Sequence, residues 1–284
     1  MEKVDIETCI TLSRVAAHDI PFGVAVERYA ADTAKIYGGE VIDNCQAAFT
    51  AGTADTVVSV ETAAFDIYEG TLPKMNRFTV TALANTGKIA TNSCAATDMS
   101  GDSYVYLLIK TTVAFATAGH LKFAIAEDAL IATPRDVDVP VMAANTWYYF
   151  QLAFTGTTEQ RDAVISYGFR NHSGGAWTGV IDVQYIGRGN ALYHPLGFVS
   201  NDQINIHGND EASYEAAQYD DMTIIAAGHA NPYLLKGVTC VAGQRLYLVP
   251  GCGKLATTAI SSDNRPMHAT EDQTTSGGQV GVRL

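Results

Sequence analysis

Apolar residues in this chain return at every second position and almost nowhere at every third or fourth. In Ser103–Lys110 the set Val105, Leu107 and Ile109 falls on one side, and in His120–Glu127 so do Leu121, Phe123 and Ile125. In Trp147–Thr155, Phe150, Leu152 and Phe154 oppose Tyr149, Gln151 and Ala153. Trp177–Ile186 alternates through Trp177, Ile181, Val183 and Tyr185, and Met222–Ile225 is a shorter run. Side chains on an extended strand point alternately to its two faces, so this period predicts half-buried strands, here bounded by Gly, Asn, Asp and Pro. The expected class is all-β, with the middle of the chain an antiparallel two-sheet sandwich. Glu211–Ala217 is read as one or two helical turns. No repeat of roughly 20–50 residues is visible, which excludes a solenoid or propeller.

The chain has 284 residues, above the usual size of one domain, so two are expected. Composition shifts at Thr50-Ala-Gly-Thr-Ala-Asp-Thr56 and again at Ala226-Ala-Gly-His-Ala-Asn-Pro232. Boundaries placed there give a domain of residues 1–50 plus 227–284, split by an insertion of residues 51–226, a tolerated way to enlarge a domain at a loop tip. A net charge of −12 with only 18 Lys and Arg excludes a nucleic-acid partner, which needs clustered cations. Charged residues make up 17%, short of the usual quarter, as in proteins that lie against other surfaces. The cysteines (Cys9, Cys45, Cys94, Cys240 and Cys252) are odd in number and form no C-x-x-C pair, which fits free thiols in a protein assembled in a reducing cytoplasm. The start carries no basic-then-apolar leader, and no apolar run of about 18 residues occurs, so neither that route of secretion nor a membrane span is expected.

Candidate chemistry fails on spacing. A sandwich glycosidase needs two carboxylates about the scissile bond. In Val180-Ile-Asp182-Val-Gln184 the Asp is kept, while Val180 and Gln184 stand where acids are wanted. Glu127/Asp128, Asp136/Asp138 and Asp220/Asp221 are read as turn, cap or cation positions. Asp136-Val-Asp138 begins like a calcium loop, but Pro140 follows and the Gly is missing. A structural Ca²⁺ is left open with no residue assigned to it, and no cofactor is expected. Gly251-Cys-Gly-Lys254 lacks the first Gly and the Ser or Thr of a phosphate loop, since Leu248 and Leu255 stand there. No two histidines lie two to four apart, so a local metal-binding pair is absent. Asn171-His-Ser173 fits a glycosylation triplet.

Two resemblances add to this reading. Asn145-Thr-Trp-Tyr-Tyr-Phe-Gln-Leu-Ala-Phe-Thr-Gly156, Asn76-Arg-Phe-Thr-Val-Thr-Ala-Leu-Ala84 and Tyr219-Asp-Asp-Met-Thr-Ile-Ile225 resemble strands of the concanavalin-like (laminin-G-like, jelly-roll) sandwich, the last as its closing strand. Such sandwiches often bind sugars, and Trp147, Tyr149 and Trp177 are the candidate stacking residues. The competing reading anchors Trp147 and Trp177 in the core, with the tyrosines half-buried on the outer sheet.

The chain ends carry the second. Ile20-Pro-Phe-Gly-Val-Ala-Val26, Ala242-Gly-Gln-Arg-Leu-Tyr-Leu-Val249, Gly253-Lys254 and Gly277-Gly-Gln-Val-Gly-Val-Arg-Leu284 resemble, in order and spacing, the small β-barrel-like domain of tailed-phage capsid cement (head decoration) proteins. The resemblance implies a virion structural protein on the outer capsid surface, a homotrimer bridging subunits of the major capsid protein, and no catalysis. Ile6, Ile10, Leu12, Pro21 and Phe22 would be the capsid contacts, with residues 1–15 as an arm able to join a partner's sheet. The large insertion departs from that family and leaves open a carbohydrate-binding virion adhesin or tail-associated receptor-binding protein.

Overall fold

The computed structural model describes residues 10–16, 20–21, 25–28, 33–36, 40–63, 74–189, 197–199, 215–216, 221–227, 229–230, 232, 234, 238–249, 254–257, 267–274, 280 and 282–283. The chain divides into two compact units: Met1–Gly38, Phe65–Tyr68 and Leu192–Leu284 form one, Gly39–Ala64 and Glu69–Ala191 the other. Both are built of strands. Among the described residues the helical turns are 3-10, at Ala129–Ile131 and Thr158–Gln160. Of the expected helical segment, Glu215–Ala216 is instead a short strand paired with Ile20–Pro21, and Glu211–Tyr214 and Ala217 lie outside the described residues.

The second unit is the sandwich, two antiparallel sheets. One runs Trp147–Ala153, Tyr104–Thr111, Trp177–Gly189, Lys74–Leu83, Thr56–Thr62, with Glu40–Asp43 also paired to Trp177–Gly189. The other runs Arg135–Asp138, Leu121–Ala126, Val164–Asn171, Lys88–Thr97, Thr50–Ala51. The alternating sets face each other across the interior: Val105, Leu107 and Ile109 from one sheet, Leu121, Phe123 and Ile125 from the other, all buried. Phe169 ties the layers together, its ring 5.7 Å from Phe78 and 5.5 Å from Phe123.

One alternation fails. Leu108 faces Tyr185 while Ile109 faces Val183, so Gln184 is an extra residue in its strand. Such a bulge reverses the parity beyond it: Ile186, not Tyr185, continues the set packed between the sheets.

The expected domain boundaries also shift. Glu40–Asp43 belongs to the sandwich because it pairs with Ile186–Arg188, and Thr50–Ala51 pairs with Thr91 and Ala90. At the far end, Asp221–Ala227 does not close the sandwich; it pairs with Ile10–Ala16 from Ile10↔Ala227 to Val15↔Asp221. Backbone ladders decide which unit a segment joins: the polar, Gly-containing stretch at 50–56 is a turn between two sandwich strands, and of the stretch at 226–232 the residues 226–227 and 229–230 are strand.

Buried polar side chains pin the irregular parts. Asp43 accepts from the Cys45 amide at 2.6 Å, from Asn92 Nδ2 at 2.9 Å and from the Tyr167 hydroxyl at 2.6 Å, joining strands of both sheets. Burial, followed by the Asp43 charge, pushes the Tyr167 phenol far above its ordinary value, so it stays a donor. Asn76, also buried, accepts from the Phe49 amide and donates to Ala47 O, fixing the same crossing segment. Arg161 donates to the carbonyls of Met99 and Asp102, and Arg188 reaches Glu40 at 2.8 Å and the Asp102 carboxylate.

Asn171 settles the glycosylation triplet. Its amide nitrogen donates to Leu83 O, Ala84 O and Gly175 O, and its oxygen accepts from the Ser173 amide. The atom that a sugar would modify is spent holding two turns together. Asn171→Ala is expected to destabilise the sandwich by about 3 kcal/mol, because buried carbonyls lose their donors. The shift of the urea midpoint measures it, and an unchanged midpoint refutes the assignment.

The first unit joins both ends of the chain. Ile10–Ala16, Asp221–Ala227, Gly197–Val199, Ala25–Arg28 and Thr33–Ile36 close into a barrel, the last seam being the parallel pair Val15↔Thr33. A five-stranded sheet follows: His229–Ala230, Val282–Arg283, Met267–Ala269, Arg245–Val249, Lys254–Ala256. Leu234, Leu246, Leu255, Val280 and Val282 form its buried core.

Candidate functional site

The feature of the sandwich best suited to binding is one row across the outer face of the six-stranded sheet. Register fixes it: Trp147 lies opposite Lys110, Lys110 opposite Asp182, Asp182 opposite Arg77, and Arg77 opposite Ser59. Directly opposed residues in a sheet share a face and touch, so five strands contribute one residue each. Tyr, Trp and branched residues build these strands. The two cations, on either side of Asp182, are the exceptions.

The charged part is locked. Arg77 Nε donates to Asp182 Oδ1 at 2.8 Å and Nη2 to Oδ2 at 3.1 Å. Lys110 Nζ sits 3.0 Å from Oδ2 and 5.2 Å from the centre of the Trp147 ring, within cation–π range. The Asp182 side chain is only 1% exposed, against 36% for Arg77 and 23% for Lys110. Burial raises the Asp182 carboxyl, but the hydrogen bonds from Arg77 and Lys110 outweigh it and hold it below the ordinary carboxylate value. A carboxylate held in that form cannot deliver a proton to a leaving group, as a glycosidase acid must. Glu61, one strand beyond Arg77, accepts from the Ser59 hydroxyl at 2.7 Å.

Beside this row lies a stack of tyrosines. Tyr149 is 6.1 Å from Tyr106 with planes 9° apart, and 6.4 Å from Tyr185 at 22°. All three rings are buried. Tyr185 lies along its own strand over Gly187, where an added Cβ would come 2.3 Å from the hydroxyl. The charged row, with half-buried Trp147, is therefore the part that solvent reaches.

The sugar-stacking candidates do not converge. Trp147 is in the row and Tyr149 in the buried stack. Trp177 belongs to the core, its ring 4.9 Å from Phe115 and 18° from parallel. Among the capsid-contact candidates, Ile10 and Leu12 pair with Ala227 and Ile224, and Pro21 pairs with Glu215. Ile6 and Phe22 lie outside the described residues. The Ile10–Ala16 strand pairs with Asp221–Ala227 from Ile10 to Val15 and with Thr33–Ala34 at Val15–Ala16, so this segment of the expected arm is a strand of the unit's own barrel. Asp136 and Asp138 are strand residues, engaged by Arg170 at 2.8 Å and Lys122 at 2.5 Å. That is ion pairing across a sheet, not a calcium loop. Among the described residues no group of three or more His, Cys, Asp or Glu is placed to hold a metal. Glu127 and Asp128 accept the Ala163 and Ala132 amides as turn residues.

Sequence reasoning weighed Asp182 as an acid and passed over Arg77 and Lys110. The signal available is a lone cation at one end of each apolar alternation, Lys110 closing Tyr104–Lys110 and Arg77 opening Arg77–Val80.

No family model matches the chain, and neither does any curated protein. Solved structures do. A family 11 carbohydrate-binding module from Clostridium thermocellum, in complex with a β-1,3-1,4-mixed-linked tetrasaccharide, is similar over 56% of this chain and 99% of its own, at 17% identity and a TM-score of 0.35. A family 29 carbohydrate-binding module matches 51% of this chain and 88% of its own, at 10% identity and a TM-score of 0.28. An arabinose-bound MgGH51 α-L-arabinofuranosidase matches 65% of this chain and 32% of its own, at 13% identity and a TM-score of 0.34. Over about half its length, the chain is a β-sandwich resembling carbohydrate-binding modules.

Proposed function

We propose that this chain is a non-catalytic, carbohydrate-binding surface protein: the sandwich reads a glycan, and the unit made from both chain ends mounts it on a larger particle. The observation that carries the reading is the row Trp147–Lys110–Asp182–Arg77. Sugar recognition uses an aromatic surface beside polar groups whose positions are set before the ligand arrives. Here the indole is flanked by an ammonium, which a buried carboxylate holds on one side while binding a guanidinium on the other.

A second reading rests on a different observation, the grouping of Met1–Gly38 and Leu192–Leu284 in one compact unit. Chain ends that fold together, with the cement-protein resemblance they carry, favour a mount for a phage capsid. On that reading the protein decorates the outer shell as a trimer, bridging major capsid subunits, and the sandwich is display.

A glycan array probed with wild type and Trp147→Ala separates the two. Specific binding that falls at least tenfold in Trp147→Ala supports the glycan reading, and absence of binding across the array overturns it. Trp177→Ala is unsuitable because it opens a cavity in the core. Co-sedimentation with undecorated phage heads tests the mount, and failure to sediment removes the capsid assignment.

A further inference from the structure

We infer that the edge strand Thr56–Thr62 of the six-stranded sheet docks a second copy of this chain, paired antiparallel about a two-fold axis at Ser59. On one side the strand pairs along its whole length with Lys74–Leu83, from Thr56↔Val80 to Thr62↔Lys74, without a bulge. Among the described residues no strand pairs with its other side. An open edge presents N–H and C=O groups to any incoming strand, and proteins blunt such edges with Lys, Pro, bulges or shortness. Thr-Val-Val-Ser-Val-Glu-Thr carries none of these devices, and its β-branched residues favour extended pairing. Val57 is 66% exposed, the most of any large apolar side chain among the described residues. The other sheet is guarded at both edges: Thr50–Ala51 is two residues long, and Arg135–Asp138 is short and charged. The remaining edge, Trp147–Ala153, shows no exposed large apolar side chain.

The strand is its own complement. Val58 and Val60 share the inner face with buried Phe78 and Asn76, while Val57, Ser59 and Glu61 share the outer one. A second copy must keep that parity, because a slip of one residue sends each side chain to the wrong face. Of the antiparallel registers that keep it, one pairs the full strand: Thr56 with Thr62, Val57 with Glu61, Val58 with Val60, and Ser59 with itself. Val58 and Val60 then carry the apolar inner face across the seam. Each copy carries a charge of −12, yet no like charges meet here. Each Glu61 falls opposite an uncharged Val57, and the two carboxylates are roughly 14 Å apart along the seam, beyond the screening length of about 8 Å at physiological salt. The two-fold axis closes the pair, so no fibre follows. Ser59 also ends the row Trp147–Lys110–Asp182–Arg77–Ser59, so the axis joins two such rows end to end. On the glycan reading this gives one polysaccharide two linked footholds; the pairing itself does not rest on that reading.

Sedimentation velocity of the full chain, from low micromolar to several hundred micromolar, tests the pairing. Monomer is expected to give way to dimer as concentration rises. Val60→Lys drives an ammonium into the seam and should weaken the dimer at least tenfold. In the monomer that position lies at the rim of the sheet, outside the set packed on the core, where a lysine reaches water. Val57→Lys sets an ammonium opposite Glu61 of the second copy and should tighten the dimer roughly fivefold. The gain should vanish at high salt and in the double variant Val57→Lys/Glu61→Lys. Because Val57 is exposed, this arm holds even where Val60→Lys fails to fold. A monomer at every concentration, a trimer, or a dimer indifferent to Val60→Lys overturns the proposal. A dimer that Val57→Lys does not tighten overturns the axis at Ser59. None of these outcomes touches the glycan array, so the two readings fail separately.

Discussion

Asp43→Ala is expected to cost the sandwich about 4 kcal/mol, the largest effect of any polar substitution considered, because two buried donors and one half-buried donor lose one shared acceptor. The Cys45 amide, Asn92 Nδ2 and the Tyr167 hydroxyl all end on this carboxylate. It is what holds the first sandwich strand to the opposite sheet. Tyr167→Phe removes a single bond to a charged group, and about 2 kcal/mol is expected for it. The double variant distinguishes a network from a sum: if the two act through one node, its loss falls clearly short of the two single losses added. Urea unfolding followed by tryptophan fluorescence reports it, since Trp147 and Trp177, the tryptophans of the chain, both lie in this unit. Equal midpoints for wild type and Asp43→Ala would show that the crossing segment is held by something else.

The second large effect is at Asp182. Asp182→Ala leaves Arg77 and Lys110 facing each other without their counter-charge, at an expected cost of about 3 kcal/mol; their partial solvation keeps the figure at the low end of such losses. The pH dependence follows from the direction of the shift. The folded carboxyl titrates below its unfolded value of about 3.9, so its contribution is fully present above that value and disappears as pH falls through the folded one. The stability gap between wild type and Asp182→Asn should be widest near neutral pH and narrow below about pH 4. A gap that stays constant into acid would mean that the carboxylate is not ion-paired in the folded state.

Much of the fold is legible in the sequence because one rule, alternation, governs most of it. Val105, Leu107 and Ile109, and likewise Leu121, Phe123 and Ile125, are buried as their spacing requires. What is not legible depends on register between distant strands. Nothing in Val183-Gln-Tyr185 marks Gln184 as an extra residue, yet that insertion moves Tyr185 to the outer face. Trp147 and Trp177 both open strands, and only their partners put one on the outer face and the other in the core. The site is harder still, because Arg77 and Asp182 lie 105 residues apart and no local pattern links them. Domain limits were displaced for the same reason: Glu40–Asp43 finds its neighbour at Ile186–Arg188.

That last pairing has a kinetic consequence. On the ribosome, the strand Ile10–Ala16 is made long before Asp221–Ala227, its antiparallel neighbour, a wait of roughly 10–40 s at ordinary elongation rates. Every sandwich strand emerges in the interval. Once the inserted module has folded, Glu40 and Arg188 stand side by side, and the tether between the waiting strand and its mate shrinks to the short segments flanking them. Closing that shortened tether costs about 1 kcal/mol less entropy than closing the unfolded one. The guest is finished first, and its completion makes the host easier to close.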